Sequence, residues 1–320
     1  MPAVAAPRTT ILMLSVDEAH NLEHSLPAAV AQPDADVVVI DNACTDGTAA
    51  LASQHGAGHL RLTPRRTYAA AINEAFRQIS AEESVLLLNA DCVLDPGFLA
   101  AARPHLSASE VGSVAPKLIR ATVASQIDTA AMVVDRRRKN GLVGHGRPQT
   151  AYGRSAPVFG ADGAAALYRR EALEDCALGP ERELLDEDME LWASDADLAW
   201  RAQLFGWRCV YEPAALATHI RTYSPSTRAQ MPEQARRLQF RNRYLMIVKN
   251  ETRRGLRRDG ARIAGYEVLT LGHALLRERH LLGGYRDAYR LLPAARRRRA
   301  LVRAKRRTDL PPFGLRPPAG

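Results

Sequence analysis

The sequence predicts an α/β fold with a mostly parallel central sheet. Short apolar runs alternate with stretches whose apolar residues recur at helical spacing, as is typical of βαβ units. Three of these runs are followed by a carboxylate, namely Asp17, Asp41 and Asp91. Because crossovers between parallel strands are nearly always right-handed, the strand ends should share one edge of the sheet, where ligands bind in such folds.

Five apolar runs in the first part of the chain are predicted strands. They lie at residues 9–15, 37–40, 60–62, 85–88 and 114–119. The second is rich in β-branched residues, which favour strands. The fourth is uninterrupted and bounded by turn residues, which indicates a strand buried on both faces.

Two helices are predicted between these strands. Leu22, Leu26 and Ala29 share one face of the first helix, although Pro27 within it weakens the prediction. Apolar residues from 68 to 79 mark one face of the second helix.

The middle of the chain has a less regular pattern. Residues 121–157 are rich in glycine and arginine, which predicts hairpins and a mobile loop over the site, or else an ordinary surface insertion. Residues 158–171 suggest a strand of small residues that enters a helix, and residues 184–192 are acidic and amphipathic. A helix over residues 194–205, closed by a glycine, precedes a strand at 207–211.

The domain organisation follows from a change in composition near residue 222. Residues 8–222 form the predicted α/β domain, which divides into two halves at about 8–119 and about 120–222. Residues 223–307 are predicted to be a helical, basic extension. Two Pro-Pro pairs predict a disordered tail at 308–320.

The net charge of +9 is concentrated near the end of the chain, between Arg296 and Arg307. Such a cluster is either a solvated surface or a contact for an anionic partner. We favour an anionic membrane surface as that partner. Nucleic acid is not expected, because no aromatic residues are interleaved with the arginines.

Cysteine usage and hydropathy indicate the compartment. The four cysteines are scattered and contain no Cys-x-x-Cys pair, so neither a zinc site nor a disulfide framework is predicted. The sequence shows no signal-peptide pattern and no apolar run long enough to span a membrane. We therefore expect a cytoplasmic protein, peripheral at most on the inner face of the membrane.

The acidic residues at the strand ends suggest a site for a divalent cation and phosphate. Asp91 ends a buried strand, and a carboxylate there is suited to hold Mg²⁺ or Mn²⁺, or else it caps the following turn. Asp17 and Glu18 either belong to the same rim or complement the dipole of the helix that they precede.

Three segments of the first two hundred residues resemble motifs of family 2 glycosyltransferases, which have the GT-A fold. Residues 41–48 (DNACTDGT) are similar to the D-N-x-S-x-D-G-T loop of that family. Residues 89–91 (NAD) fall at its D-x-D metal motif, and 159–170 (FGADGAAALYRR) resemble its G-x-x-G-A-x-x-L-x-R-R segment.

Three later segments complete the resemblance. Residues 195–207 resemble the E-D-x-D-L-x-x-R…G-W motif, and His219 sits at the family's late histidine. Residues 241–250 resemble the R-N-R…K-N stretch of the rhamnosyltransferase-like branch. The order and spacing of the set cover residues 8–252, which makes it more specific than any single motif.

The resemblance implies an inverting transfer of a sugar from a nucleotide-diphosphate donor. It implies that residues 8–222 are a GT-A catalytic domain whose first half, about 8–119, binds the nucleotide and whose second half, about 120–222, binds the acceptor. It implies Asp91 and His219 as ligands of Mg²⁺ or Mn²⁺, which would stabilise the leaving diphosphate by Lewis acidity. Arg169 and Arg170 either face the diphosphate or acceptor or only flank a helix. The residues that it places around the nucleotide sugar are Ser15, Asp17, Glu18, Asp41, Asn42, Asp46, Asn89, Arg169 and Arg170.

The family position of a general base falls on Asp195, with Asp197 as a reserve. This carboxylate would take the proton from an acceptor hydroxyl, although Ser194 or Asp195 could also be a helix N-cap. The branch implies L-rhamnose as the sugar and a cell-envelope glycan or polyprenyl-linked molecule as the acceptor. Two departures from the motifs, Asn89 and Ser194, motivate the alternative of a catalytically degenerate binding or scaffold protein.

Overall fold

The computed structural model describes residues 8–79, 83–224 and 227–319 of the chain. One side of its large sheet is parallel and has the strand order β3-β2-β1-β4. Alternate residues of β1 enter two apolar cores, one on each face of the sheet. The bounds of these strands are β1 Thr9–Ser15, β2 Ala35–Asn42, β3 Gly58–Leu62 and β4 Ser84–Asn89.

Three helices connect these strands. They are α1 (Ala19–Val30), α2 (Thr48–Gln54) and α3 (Tyr68–Gln78). Pro27 lies inside α1, which continues for three residues beyond it. The predicted strands and helices of this part are therefore confirmed, and the polar ends of β1, β2 and β4 meet at one edge.

The sheet continues beyond β4 with one reversed strand. β11 (Ala165–Arg169) is antiparallel to β4 and to β6 (Val111–Arg120), and β6 is parallel to β12 (Arg208–His219). The remaining short strands are β5 Cys92–Leu94, β7 Ile127–Thr129, β8 Met132–Val134, β9 Asn140–Leu142 and β10 Ala156–Val158. β5 and β10 pair with β12, β7 pairs with β6, and β8 pairs with β9.

Three further helices lie around this half, and the last of them confirms the predicted helix at 194–205 to within one residue. They are α4 (Phe98–Ala102), α5 (Arg170–Cys176) and α6 (Ser194–Leu204). Residues 184–192, which are acidic and amphipathic, contain the 3₁₀ turn Glu187–Met189. Gly206 has a φ of +88°, which suits a glycine closing α6.

Three long helices follow the sheet. They are α7 (Glu233–Asn250), α8 (Arg253–Leu276) and α9 (Leu282–Lys305). α7 packs against both α6 and α9, so the helical extension contacts the part of the chain that contains the predicted base. Within the described ranges, no helix combines the length and the apolar character needed to cross a bilayer.

Part of the basic cluster between Arg296 and Arg307 contacts acidic residues of the protein. Arg298 forms ion pairs with Glu183 and Asp188 at 2.7 and 2.5 Å, and Arg307 contacts Asp175 at 2.7 Å. These pairs neutralise charge that the sequence suggests is free, whereas Arg296, Arg297 and Arg303 remain exposed.

The predicted disordered tail is instead packed on the domain. Phe313 contacts Trp200 edge to face, with ring centroids 4.9 Å apart, and stacks near Phe159 at 5.8 Å. The Gly314 N–H donates to the carbonyl of Val134 at 2.8 Å. The expectation failed because the Pro-Pro composition does not reveal a single aromatic anchor; residue 320 lies outside the described ranges.

One arginine of the stretch expected to be mobile is fully buried. Arg138 pairs with Glu251 at 2.6 Å and with Asp259 at 2.9 Å, and its guanidinium lies 3.8 Å from the centre of the Phe313 ring. This network joins residues 121–157 to α8 and the tail. The hairpins predicted there are present as β7 to β9.

Candidate active site

The site begins where the parallel strands end. In the sheet register Ser15 is opposite Asp41, and Leu14 is opposite Asn89. The polar residues that follow β1, β2 and β4 therefore lie side by side, as the sequence predicts. Such an edge is where open α/β sheets bind ligands.

Asp41 is a buried carboxylate near the end of β2, on one side of this edge. Its Oδ1 accepts from the Cys44 N–H at 2.7 Å, and its Oδ2 accepts from His59 at 2.9 Å and Arg61 at 2.6 Å. Burial alone raises the pKa of Asp41, but these hydrogen bonds hold it below its usual value. Asp41 is thus a buried anion that orients the half-exposed side chains of His59 and Arg61.

Three other polar residues on this side form hydrogen bonds that hold its loops in place. Ser15 Oγ is 2.9 Å from the hydroxyl of Thr48, and Asp46 accepts from that hydroxyl at 2.7 Å. Asn42 exchanges two hydrogen bonds of 2.8 Å with the backbone of Arg66. We conclude that these three predicted residues shape the pocket through the loops that they hold.

Asp17 sits at the rim with a left-handed backbone, φ +57°. It accepts from the Thr45 N–H at 2.7 Å and pairs with Arg65, and both contacts lower its pKa. Possible ligand atoms of Asp17, Cys44 and Asp46 lie within 4.8 Å of one another. The carboxylate of Asp17 already pairs with Arg65, so a cation bound by this group would have to displace that arginine.

Asp91 and His219 lie together at the other side of the edge. β5 and β12 pair with Cys92 opposite His219, which brings Asp91 Oδ1 within 3.3 Å of His219 Nε2. His219 Nδ1 is 2.8 Å from Asp128 Oδ2, and this contact fixes the ring with Nε2 towards Asp91. Burial lowers the pKa of His219, but the two carboxylates raise it to about 9.

Glu18 is a further carboxylate near this pair. Its pKa is raised by burial and by the negative charge of Asp91. Asn89 lies at the end of β4, two residues before Asp91, and its N–H donates to the carbonyl of Ala164 at 2.9 Å. The structure thus brings Glu18, Asn89, Asp91 and His219 to one region.

A series of charge contacts extends from this pair towards α6. Arg221 Nε donates to Asp128 at 2.8 Å, and its Nη2 donates to Asp162 at 3.0 Å. Burial raises the pKa of Asp128, but His219 and Arg221 lower it to about 2. We call the set Asp91, His219, Asp128, Arg221 and Asp162 the charged chain.

Asp195 lies at the end of the charged chain, in the first turn of α6. Its Oδ2 accepts from the Gly163 N–H at 3.2 Å and its Oδ1 from the Ala196 N–H at 2.8 Å. Burial and the neighbouring charge of Asp162 raise its pKa to about 6. A carboxylate with such a pKa is suited to accept a proton near neutral pH.

Asp197, the expected reserve base, has a structural position. It is buried between α6 and α7, where it contacts Lys249 at 3.0 Å and accepts from Asn250 at 2.6 Å. Since residues i and i+2 of a helix point in different directions, Asp197 faces the core when Asp195 faces the site. The assignment of Asp197 as a reserve base is corrected accordingly.

Arg169 and Arg170 lie at the opposite edge of the sheet. In the antiparallel pairing of β11 with β4, Arg169 is opposite Ser84, at the start of β4. Arg169 donates to the carbonyl of Val111 at 3.0 Å, and Arg170 pairs with Glu174 at 2.8 Å. Of the two alternatives, these arginines flank a helix, α5, and the expectation that they face the diphosphate is wrong because the strand before them runs in the reverse direction.

The loop that leads into α6 is strained and held by α7. Glu190, Trp192 and Ala193 all have φ near +60°. The side-chain amide of Asn242 donates to the carbonyls of Met189 and Leu191 at 2.7 Å each, and of Trp192 at 3.1 Å. The helical extension therefore fixes the backbone on which Asp195 is mounted.

Three members of the charged chain were not predicted from the sequence. Asp162 lies within the FGADG segment, where its proximity to Asp195 could have been suspected. Arg221 follows His219 by two residues, the spacing of side chains on one face of an extended chain. Asp128 has no local signal, because its partners are more than ninety residues away in sequence.

Comparison with known proteins identifies the family. The model of the glycosyltransferase-like family 2 matches residues 7–244. No curated protein sequence matches the chain.

Several solved structures share the fold at low identity. S. aureus TarS 1-349 in complex with UDP-GlcNAc is 16% identical with a TM-score of 0.60, and 93% of this chain and 88% of that one are covered. The mannosyltransferase PcManGT from Pyrobaculum calidifontis in complex with GDP-Man and Mn²⁺ is 18% identical with a TM-score of 0.51, covering 94% and 86%. GalNAc-T7 with UDP, GalNAc and Mn²⁺ is 13% identical with a TM-score of 0.59; 77% of this chain is covered, but it spans only 48% of that one.

These likenesses confirm the predicted GT-A fold with its mainly parallel sheet and C-terminal helices. The family match extends from β1 into α7, so it includes all the residues of the charged chain together with Asp195. The chain belongs to the glycosyltransferase-like family 2.

Proposed function

We propose that this protein transfers a glycosyl group, with inversion at the anomeric carbon, from a nucleotide-diphosphate sugar to a hydroxyl acceptor. The observation that carries the proposal is the charged chain, which places a pair of potential metal ligands and a carboxylate of raised pKa in one connected site. The polar loops at the ends of β1 and β2 beside it support binding of a nucleotide.

Asp91 and His219 fit a divalent cation. Two ligands bound at right angles, each about 2.1 Å from an ion, lie about 3 Å apart, close to the 3.3 Å between Asp91 Oδ1 and His219 Nε2. The imidazole favours Mn²⁺ over Mg²⁺. When bound, such an ion would offset the negative charge that develops on the leaving diphosphate.

The remaining roles follow from position. His59 and Arg61, held by Asp41, would contact the nucleoside at the exposed side of the pocket. Asp195 would remove the proton from the acceptor hydroxyl as that oxygen bonds to the anomeric carbon and the bond from this carbon to the diphosphate oxygen breaks. The proton ends on Asp195 and the negative charge on the released nucleoside diphosphate.

We also propose an identity for the sugar and for the acceptor. Residues 241–250 match the rhamnosyltransferase-like pattern, so we propose L-rhamnose from a dTDP-sugar as the first donor to test. A cell-envelope glycan or a polyprenyl-linked molecule is the proposed acceptor. Asn242 and Lys249 of this stretch hold the loop before α6 and thereby support the proposed base.

A thermal-shift screen of nucleoside diphosphates and nucleotide sugars, each with and without Mn²⁺, tests the proposal. A ligand that binds the native state raises the melting temperature. We expect a metal-dependent shift for one nucleoside class, lost in Asp91→Ala and kept in Glu23→Ala, an exposed carboxylate of α1. No shift with any nucleotide would refute the donor site.

A turnover assay then separates an enzyme from a degenerate binding protein. Asp195→Asn should retain the thermal shift but lower transfer or donor hydrolysis by about 10²- to 10⁴-fold. Binding without turnover, unchanged by this substitution, would favour the scaffold alternative. Anomeric configuration of the product, read by NMR, tests inversion directly.

A further inference from the structure

The second half of α8 exposes an unusually apolar surface. Val268 and Leu269 are each 72% exposed and Leu276 is 82% exposed, and Leu271 and Leu275 are also exposed. Single exposed leucines are common, but a contiguous group of this size marks an interaction surface. We call these five residues the α8 apolar face.

The face occupies one side of the helix. With 100° between successive residues, its five members fall within an arc of about 160°. Gly265 and Gly272 lie on the same arc, and a Cβ added to either would meet nothing within 4 Å. The one acidic residue of this half, Glu267, instead turns towards the protein, where it contacts Arg243 at 2.7 Å.

The first half of α8 continues the same side of the helix with positive charge. Arg253, Arg254 and Arg257 fall on the arc of the apolar face, Arg262 lies beside it, and all four are exposed. Among the described residues, no carboxylate forms an ion pair with any of these four. The helix therefore presents a basic half followed by an apolar half on one side.

We propose that this side of α8 docks on the surface of an anionic lipid bilayer. The arginines would lie over the charged headgroups while the apolar face enters the boundary of the acyl chains. The apolar half, residues 263–276, is about 21 Å long and too short to span, which fits a helix lying in the interface. The proposal requires no catalytic activity of the protein.

Charge distinguishes lipid from a second copy of this chain as the occupant. An isologous dimer through this side would bring the α8 helix of each copy, with its arginines, against the same element of the other. Like charges at such a contact oppose association. An anionic lipid surface instead attracts every arginine on this side of the helix. Salt screens that attraction, so binding to lipid should weaken as the salt concentration rises.

The test is co-sedimentation of the full chain with vesicles of phosphatidylcholine, with and without phosphatidylglycerol. We expect pelleting that depends on phosphatidylglycerol and falls at high salt. Val268→Ser with Leu269→Ser should reduce the partition coefficient at least about tenfold, and Arg254→Gln about fivefold. Val30→Ser, an equally apolar exposed position on α1, should leave it unchanged.

A charge insertion provides a second variant that cannot fail by misfolding of the core. Gly272→Glu adds an anion to the open side of α8 and should reduce binding, whereas Gly97→Glu, also in open space, should not. Melting temperatures of all variants should match that of the wild type. Equal pelleting of wild type and α8 variants would overturn the proposal, as would a dimer in analytical ultracentrifugation that the serine variant abolishes while vesicles remain unbound.

Discussion

The ionisation of Asp195 should set the pH below which the rate of the transfer reaction falls, which we call the acid limit. Burial and Asp162 raise its pKa from 3.8 to about 6. At pH 7 about nine tenths of the side chain would be the carboxylate that acts as a base, and at pH 5 about one tenth. The rate kcat/KM should therefore fall about tenfold between the neutral plateau and pH 5, whereas an aspartate of ordinary pKa would still be mostly ionised there.

Substitution of Asp162 separates the two causes of this shift. Asp162→Asn removes the neighbouring negative charge and leaves Arg221 with one acidic partner fewer. Both effects favour the charged form of Asp195, so its pKa should decrease and the acid limit should move to lower pH. Burial remains, so the limit should stay above that of a free aspartate.

The assay is release of nucleoside diphosphate from the donor that gives the largest thermal shift, followed between about pH 5 and pH 8. Asp36→Asn, an exposed position on β2, is the matched control and should leave the profile unchanged. An acid limit near pH 4 in the wild type, or a profile insensitive to Asp162→Asn, would refute the assignment of Asp195 as the base.

Three further predictions concern the parts of the structure that support the site. Asp128→Asn weakens the orientation of His219, so Mn²⁺ affinity measured by titration calorimetry should fall about 10- to 100-fold; an unchanged affinity would contradict the role of Asp128. Asn242→Ala removes the side-chain contacts to three loop carbonyls and the acceptor of Arg241 Nε, so it should lower the urea-derived free energy of unfolding by about 2–4 kcal/mol, whereas the surface change Gln54→Ala should alter it by less than about 0.5 kcal/mol. Phe313→Ala should lower the free energy of unfolding by about 2 kcal/mol, because the ring is partly buried against Trp200. If the tail were disordered, the substitution would leave this free energy unchanged.

The parallel half of the fold could be predicted because its strands are marked by patterns among residues that are close together in the sequence. Strands such as β1 and β4 are covered on both faces, so their sequences are uninterrupted apolar runs, and the polar residues that follow them mark the ligand edge. Asp91 and His219 could be paired from motif order, and the structure brings them to 3.3 Å.

The errors arise where partners are distant in sequence. The motif position of Arg169 implied a place at the site, but the antiparallel direction of β11 carries this residue to the far edge of the sheet. Arg138 sits in a glycine- and arginine-rich stretch, and its burial depends on Glu251 and Asp259, more than one hundred residues away. Such pairings depend on tertiary structure, and no local pattern encodes them.

The contacts by which α7 holds the strained loop before α6 limit how this protein can change in evolution. Asn242 and Lys249 lie beyond residue 222, yet they hold the backbone and the buried charges beside Asp195. A chain ended at that predicted boundary would keep every proposed ligand of the donor but lose the support of the base. The helical extension and the sheet should therefore be inherited as a unit, and exchange of the extension between relatives should impair turnover before it impairs nucleotide binding.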